Sequence, residues 1–188
     1  MPNSEIQSNL LSGEHILWSG KPGKGIVFTG RDVFMIPFSL VWCGFAIFWT
    51  FMATGNGAPI FFTLWGMMFV FIGLFFVFGR FVADMVLRRN MTYALTDRRV
   101  LISRSGWAAK FTALRLDALP DSKLTFKSDG SGSITFGNSV SMWGASNFGI
   151  WIPSLDPTPQ FVAIQDAKNV YGKIQNAADQ LRNQQRVA

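Results

Sequence analysis

Clustered basic residues are the part of this 188-residue sequence with the clearest chemical potential. Between Arg80 and Arg115 lie eight lysines and arginines but only two aspartates, and this excess equals the net charge of the whole chain, +6. Basic side chains near an anionic membrane surface each contribute about 1 kcal/mol of attraction. The candidates for binding lipid headgroups or other anions are Arg88, Arg89, Arg98 and Arg99.

Each candidate also has a structural interpretation. Arg88 and Arg89 could serve only to orient a membrane helix, because arginines on the cytoplasmic flank set its direction. Arg98 and Arg99 could instead maintain a turn, with Arg99 paired to Asp97 or Asp117.

Other residue types offer little for catalysis or metal binding. The chain has one histidine, His15, and one cysteine, Cys43, which excludes an internal disulfide and leaves few ligands for a zinc site. The glycines of 20–25 do not lie between a strand and a helix, as a phosphate-binding loop requires. We therefore expect no enzyme activity, no catalytic residues, no metal and no cofactor. No nucleic acid partner is expected either, because no recognition motif accompanies the basic residues.

A stretch of 47 residues without Asp, Glu, Lys, Arg or His runs from Val33 to Gly79. The turn-forming residues 54–58 divide it into two segments of 21 residues, Val33–Ala53 and Pro59–Gly79. At 1.5 Å per residue, each segment makes a helix of about 30 Å, the thickness of the hydrocarbon core. The sequence therefore predicts a transmembrane helical hairpin. The alternative, a cleaved signal peptide, fits less well because its apolar segment spans only about 7–15 residues.

Basic residues flank both predicted spans but are missing from the turn between them: Lys21, Lys24 and Arg31 precede the first span, and Arg80, Arg88 and Arg89 follow the second. The positive-inside rule therefore predicts that both termini lie in the cytoplasm and the turn lies outside. The predicted organisation is a cytoplasmic leader (1–32), the hairpin (33–79), a cytoplasmic domain (80–182) and a tail (183–188). Within the hairpin, Gly66 and Gly73 lie seven residues apart on nearly one helix face. They could allow close helix packing or be ordinary membrane glycines.

The cytoplasmic domain is predicted to be α+β. Short β-type runs separated by turn signals predict strands at 92–96, 99–103, 107–116, 123–127 and 133–136, with 148–152 as one more. Apolar residues at helical spacing then predict a C-terminal helix whose stripe begins at Phe161 and continues to Leu181. Strands first and one helix last predict a small antiparallel sheet or barrel closed by that helix.

The segment 139–148 is uncharged and rich in small residues. It carries Met142, Trp143 and Phe148, which could insert into the membrane interface or meet a partner protein. The alternative is a long hairpin loop folded onto the domain.

Residues 93–102, YALTDRRVLI, resemble the opening hairpin of bacterial pleckstrin-homology-like (PH-like) domains. In many of these, a Tyr-x-Leu-Thr-x-x-Arg hairpin follows a membrane hairpin. Residues 13–22 resemble the leader found ahead of the spans, and 161–174 resemble the closing helix. The resemblance implies a seven-stranded PH-like barrel and a protein of the bacterial cytoplasmic (inner) membrane. Only about six strands are readable after Met91, so either the leader supplies one or the barrel is short.

These expectations favour a non-enzymatic, multi-pass membrane protein that presents a PH-like domain at the cytoplasmic face. Its expected partners are the lipid bilayer, anionic phospholipid headgroups, and another protein or a second copy of the chain. The alternative is an accessory or oligomerising subunit of a membrane complex, packed through the face of Gly66 and Gly73. A membrane-bound enzyme would require a convergent set of titratable groups.

Overall fold

The computed structural model describes residues 4–106, 109–137 and 148–187. Two of its helices are long and apolar enough to cross a membrane: α2 (Asp32–Gly55) and α3 (Ile60–Arg89), preceded by a short helix α1 (Ser4–Gln7). This confirms the two long apolar helices predicted from the sequence. Helix α3 continues beyond the apolar segment to Arg89 and contains a π-helical turn at Phe75–Gly79.

A buried ion pair joins α2 and α3 at the end where the apolar segments meet the leader and the domain. A guanidinium nitrogen of Arg80 lies 2.9 Å from an Asp32 carboxylate oxygen, and both side chains are buried. Asp32 also accepts hydrogen bonds from the Thr29 amide and hydroxyl, at 2.6 and 2.9 Å. The pair thus fixes the start of α2 against α3.

The β-structure forms two antiparallel sheets. Strands β1 (Ile16–Gly20), β2 (Met91–Thr96), β3 (Arg99–Arg104) and β4 (Lys110–Arg115) make one sheet in that order. The second sheet has the order β5 (Ser122–Phe126), β6 (Gly132–Phe136) and β7 (Gln160–Ile164). The leader therefore does supply a strand, because β1 pairs with β2. In the described part of the chain, the two sheets do not close into a barrel.

The core lies between the two sheets and the C-terminal helix α5 (Ala167–Val187). Tyr93 and Phe161 stack at its centre, with ring centroids 4.6 Å apart, and both are fully buried. The Tyr93 hydroxyl accepts a hydrogen bond from the Val162 amide at 3.1 Å, and burial raises the pKa of this phenol. On the other face of the first sheet, Ile6 of α1 packs against Ala94 and Leu101.

Two predicted elements were wrong. Residues 148–152 do not form a strand: Phe148–Trp151 is a short helix, α4, and a 3₁₀ turn follows at Pro153–Leu155. Trp151 packs on Phe76 of α3, with ring centroids 4.3 Å apart, so this aromatic residue joins the domain to the long apolar helix instead of pairing in a sheet.

The C-terminal helix begins later than predicted, at Ala167, because Gln160–Ile164 pairs with β6 as strand β7. Phe161 and Ile164 are three residues apart and thus fit a helical stripe. In the structure, a register shift and the positive φ of Ala163, 49°, let both side chains reach the core from a strand. The three-residue spacing of these apolar side chains therefore reflects an irregular strand and not a helix.

Candidate anion-binding site

A basic cleft lies where the leader segment 21–25 packs against the last turn of α3. It encloses about 370 Å³ and is lined by residues 21–25 together with Met85, Arg88 and Arg89. Lys21, Lys24 and Arg89 are exposed. No acidic residue is among those lining the cleft within the described chain, so it is suited to an anion.

Arg88 forms the base of this cleft and holds its loop. Its side chain is buried, and its Nε donates to an Asp84 carboxylate oxygen at 2.7 Å. The two terminal nitrogens donate to the backbone oxygens of Gly23 and Gly25. Each of the three guanidinium nitrogens of Arg88 therefore donates to a protein oxygen, and Arg88 acts as a positioning residue for the loop.

The other side of the loop is fixed by β7. The Gly23 amide donates to the Ala163 carbonyl oxygen at 2.8 Å. A Cβ on residue 23 would lie only 2.6 Å from that oxygen, so a glycine is required for this close approach. The loop is thus held between α3 and the second sheet.

Asp84 balances the charge of Arg88 and extends the network into the domain. One of its carboxylate oxygens accepts hydrogen bonds from the Ser154 amide at 3.0 Å and the Ser154 hydroxyl at 2.6 Å. Arg104 in turn donates to the Ser154 carbonyl oxygen at 2.7 Å. With Arg88 compensated in this way, the charge that the cleft offers to a ligand comes from Lys21, Lys24 and Arg89.

Arg98 and Arg99 do not lie at this cleft. The chain from Met91 to Asp97 spans about 20 Å at the usual strand rise, which places the β2–β3 turn far from the end of α3. Arg98 is exposed at that turn. The structure therefore separates the four arginines into two groups.

Arg99 is paired with Glu14 of the leader, not with Asp97 or Asp117. Its guanidinium donates to both Glu14 carboxylate oxygens at 2.8 Å. Burial raises the pKa of Glu14, but hydrogen bonds from Arg99, the Leu11 amide and the Thr96 hydroxyl outweigh it and lower the pKa to about 2. This ion pair holds the leader against the β2–β3 turn.

Gly66 and Gly73 both lie against α2 of the same chain. A Cβ on residue 66 would come within 2.4 Å of the Thr50 hydroxyl oxygen, and one on residue 73 would lie 3.0 Å from the Cα of Cys43. The face that they share is therefore covered within the hairpin, and a contact between copies would have to use another face.

Of the uncharged segment 139–148, only Phe148 lies within the described residues. Met142 and Trp143 lie outside the described residues, and Phe148 is the first residue of α4. In the described chain, no group of three His, Cys, Asp or Glu side chains is arranged to hold a metal ion.

Sequence reasoning missed Lys21 and Lys24 as site residues, although it used them to orient the hairpin. The available signal was the run Lys-Pro-Gly-Lys-Gly at 21–25, where two cations flank glycines that permit close backbone approach. The site could not be recognised from local sequence, because the α3 residues that complete the cleft, Arg88 and Arg89, lie more than 60 residues later in the chain.

Comparison with known proteins does not identify this chain. No protein-family model matches it, and neither the curated proteins nor the solved structures include a significant match.

Proposed function

We propose that this chain is a non-enzymatic membrane protein whose basic cleft binds the phosphate of an anionic phospholipid. The observation that carries the proposal is the position of three exposed cations, Lys21, Lys24 and Arg89, around a cavity at the end of a membrane-length helix. In this proposal, the hairpin crosses a bacterial inner membrane, and both termini lie in the cytoplasm.

The length of α3 supports a position near the headgroups. Its 30 residues extend about 45 Å, whereas the hydrocarbon core is about 30 Å thick. If the apolar segment fills the hydrocarbon, the last ten residues rise about 15 Å above it. The headgroup layer occupies the first several ångströms of that height. The long side chains of Lys21, Lys24 and Arg89 can then reach back toward lipid phosphates.

Exposed apolar side chains next to the basic cleft are complementary to the acyl chains of a phospholipid. Val86 and Val82 lie about one and two turns before Arg89 on α3, and they are 43% and 59% exposed. Ile26, just after the basic loop, is also more than half exposed. Apolar groups next to a cationic cleft are complementary to an amphiphile with acyl chains and an anionic head.

The strand arrangement supports a PH-like domain as the carrier of this cleft. Four strands form one sheet, three form the other, and a helix follows the last strand. The YALTDRRVLI segment occupies the β2–β3 hairpin, where the resemblance puts it. The leader strand β1 brings the count to the seven that a PH-like domain requires.

The proposal is tested with the full-length protein in phosphatidylcholine nanodiscs that contain spin-labelled phosphatidylglycerol or spin-labelled phosphatidylcholine. Electron spin resonance then measures the preference for the anionic lipid. The triple variant Lys21→Gln/Lys24→Gln/Arg89→Gln should lose most of this preference at low salt, because each cation contributes about 1 kcal/mol. The matched control is Arg98→Gln/Lys123→Gln/Lys173→Gln, which removes the same charge from exposed positions elsewhere.

A further variant separates a shaped site from simple charge attraction. Arg88→Lys keeps the charge but cannot reproduce the three hydrogen bonds that fix the loop. We expect this variant to reduce the anionic preference, with Arg89→Lys as the control that retains it. Equal loss in both triple variants, or no preference in the wild-type protein, would refute the proposal.

A further inference from the structure

A second cleft lies on the opposite side of the leader segment, between residues 27–31 and the outer face of the second sheet. It encloses about 450 Å³, a volume within the range of small-molecule sites. Its lining differs from that of the basic cleft because hydroxyl-bearing side chains of β5 and β6 form one wall.

Strand alternation creates this hydroxyl wall. Ile134 and Phe136 point into the core, so Ser133 and Thr135 point outward, as does Thr125 on β5. Thr125 lies directly opposite Ser133 in the sheet register. Side chains at such positions are about 5 Å apart across strands and about 7 Å apart along one strand, so the patch has roughly the dimensions of one sugar ring.

The hydroxyl groups of this wall have capacity for a ligand. Ser133 Oγ accepts the Ala163 amide at 3.0 Å, which leaves its own hydrogen free to be donated. The Gln160 side-chain nitrogen donates to the Pro153 carbonyl at 3.0 Å, which leaves the amide oxygen as an acceptor. Hydroxyls both donate and accept, so they complement a polyol better than they complement an ion.

The facing wall is aromatic and nearly neutral. Phe28 is 56% exposed and packs edge-on against Phe81 of α3. The charge of Arg31 is compensated by Asp156, with 3.3 Å between the guanidinium nitrogen and the carboxylate oxygen. Lys127 is the remaining cation of the lining. A hexose ring has an apolar C–H face for an aromatic side chain and hydroxyls for the opposite wall.

We infer that this cleft binds the hexosyl headgroup of a membrane glycolipid. The lipid origin follows from the connection of the aromatic wall to the hairpin: residues 27–31 lead directly into α2, which begins at Asp32. In the proposed membrane placement, the cleft therefore lies beside the start of α2, at the membrane surface. The sugar of a glycolipid is held at the same level. This inference shares the membrane placement of the proposed function but not the basic cleft.

The test uses the full-length protein in phosphatidylcholine nanodiscs that contain a hexosyl diacylglycerol, with native mass spectrometry of the lipid adducts. Wild-type protein should retain the glycolipid in preference to unglycosylated diacylglycerol. The double variant Thr125→Val/Thr135→Val should reduce this retention roughly tenfold, as expected for two lost hydrogen bonds of typical net strength. Thr112→Val, on β4 of the other sheet, is the matched control and should retain the lipid.

Two further measurements use the wild-type protein, so they do not depend on whether a variant folds. One locates the bound lipid, and the other distinguishes a lipid-borne sugar from a free sugar. A photoactivatable hexosyl lipid should label peptides from 27–31 or 125–135 of the wild-type protein, and labelling elsewhere would overturn the inference. Free methyl hexoside that binds as well as the glycolipid would overturn the lipid assignment. An adduct unchanged in the double variant would overturn the site. The triple variant of the basic cleft should still retain the glycolipid, which separates this inference from the proposed function.

Discussion

Glu14 shows how one leader residue can connect distant parts of the chain. Its carboxylate contacts Arg99 and Thr96, more than 80 residues away, and also receives the amide of Leu11. Its side chain is fully buried, so removal of its charge leaves Arg99 without a counter-ion. Breaking one partner of a buried pair is costly because the remaining charge stays desolvated.

We predict that Glu14→Gln lowers the free energy of unfolding by about 2–3 kcal/mol. The measurement is thermal unfolding of the detergent-solubilised full chain. Asp179→Asn on the exposed face of α5 is the control and should change stability little, because its ion pair with Arg182 is solvent-exposed.

The same residue gives a pH dependence with a defined sign. The pKa of Glu14 is lowered from its ordinary value of 4.5 to about 2 in the folded protein. Its stabilising contribution is therefore complete above pH 4.5, falls as the pH drops from 4.5 toward 2, and is lost below that. The difference in melting temperature between the wild type and Glu14→Gln should shrink over this interval. A difference independent of pH would contradict the ion-pair explanation.

Among the elements, the two long apolar helices α2 and α3 depend on small residues for their contact. Glycines at 66 and 73 let α3 approach Thr50 and Cys43 of α2 closely. In a membrane, such packing is a main source of helix association, because lipid tails offer no hydrophobic driving force between helices.

We expect Gly66→Ala to destabilise the hairpin by about 1–3 kcal/mol, because the added Cβ would overlap the Thr50 side chain. Gly44→Ala on α2 is a matched control, since a Cβ there meets open space. The measurement is unfolding of the full chain in mixed detergent micelles. If both substitutions were equally harmless, the two helices would not be packed as described.

Strand β7 shows why the sequence pattern predicted a helix at 161–164 where the structure has a strand. Phe161 and Ile164 continue the apolar spacing of α5, so periodicity extended the helix across both. Pairing with β6 and the left-handed backbone of Ala163 place the same side chains in the core from a strand. Contacts with a distant strand decided the conformation, and these contacts are invisible to a local pattern.

The orientation of the whole molecule can be tested directly. Cys43 is the only cysteine, so a Cys43→Ala background allows single labels. In intact cells, a membrane-impermeant maleimide should label Asn56→Cys in the turn but not Lys173→Cys on α5, because the basic flanks should be retained in the cytoplasm. Lys173→Cys should become reactive only after permeabilisation. The reverse pattern would invert the proposed placement of both clefts.

The sequence by itself determined the features that depend on composition over long stretches. Forty-seven residues without an acidic or basic side chain, divided by one turn-forming segment, indicated two long apolar helices, and alternating short runs indicated most of the strands. Only the tertiary structure decided how the leader is used. It adds β1 to a sheet, pairs Glu14 with Arg99 and brings Lys21 and Lys24 to Arg89. The physical reason is that these contacts join segments far apart in the chain, and their partners are selected by packing and charge in three dimensions rather than by local spacing.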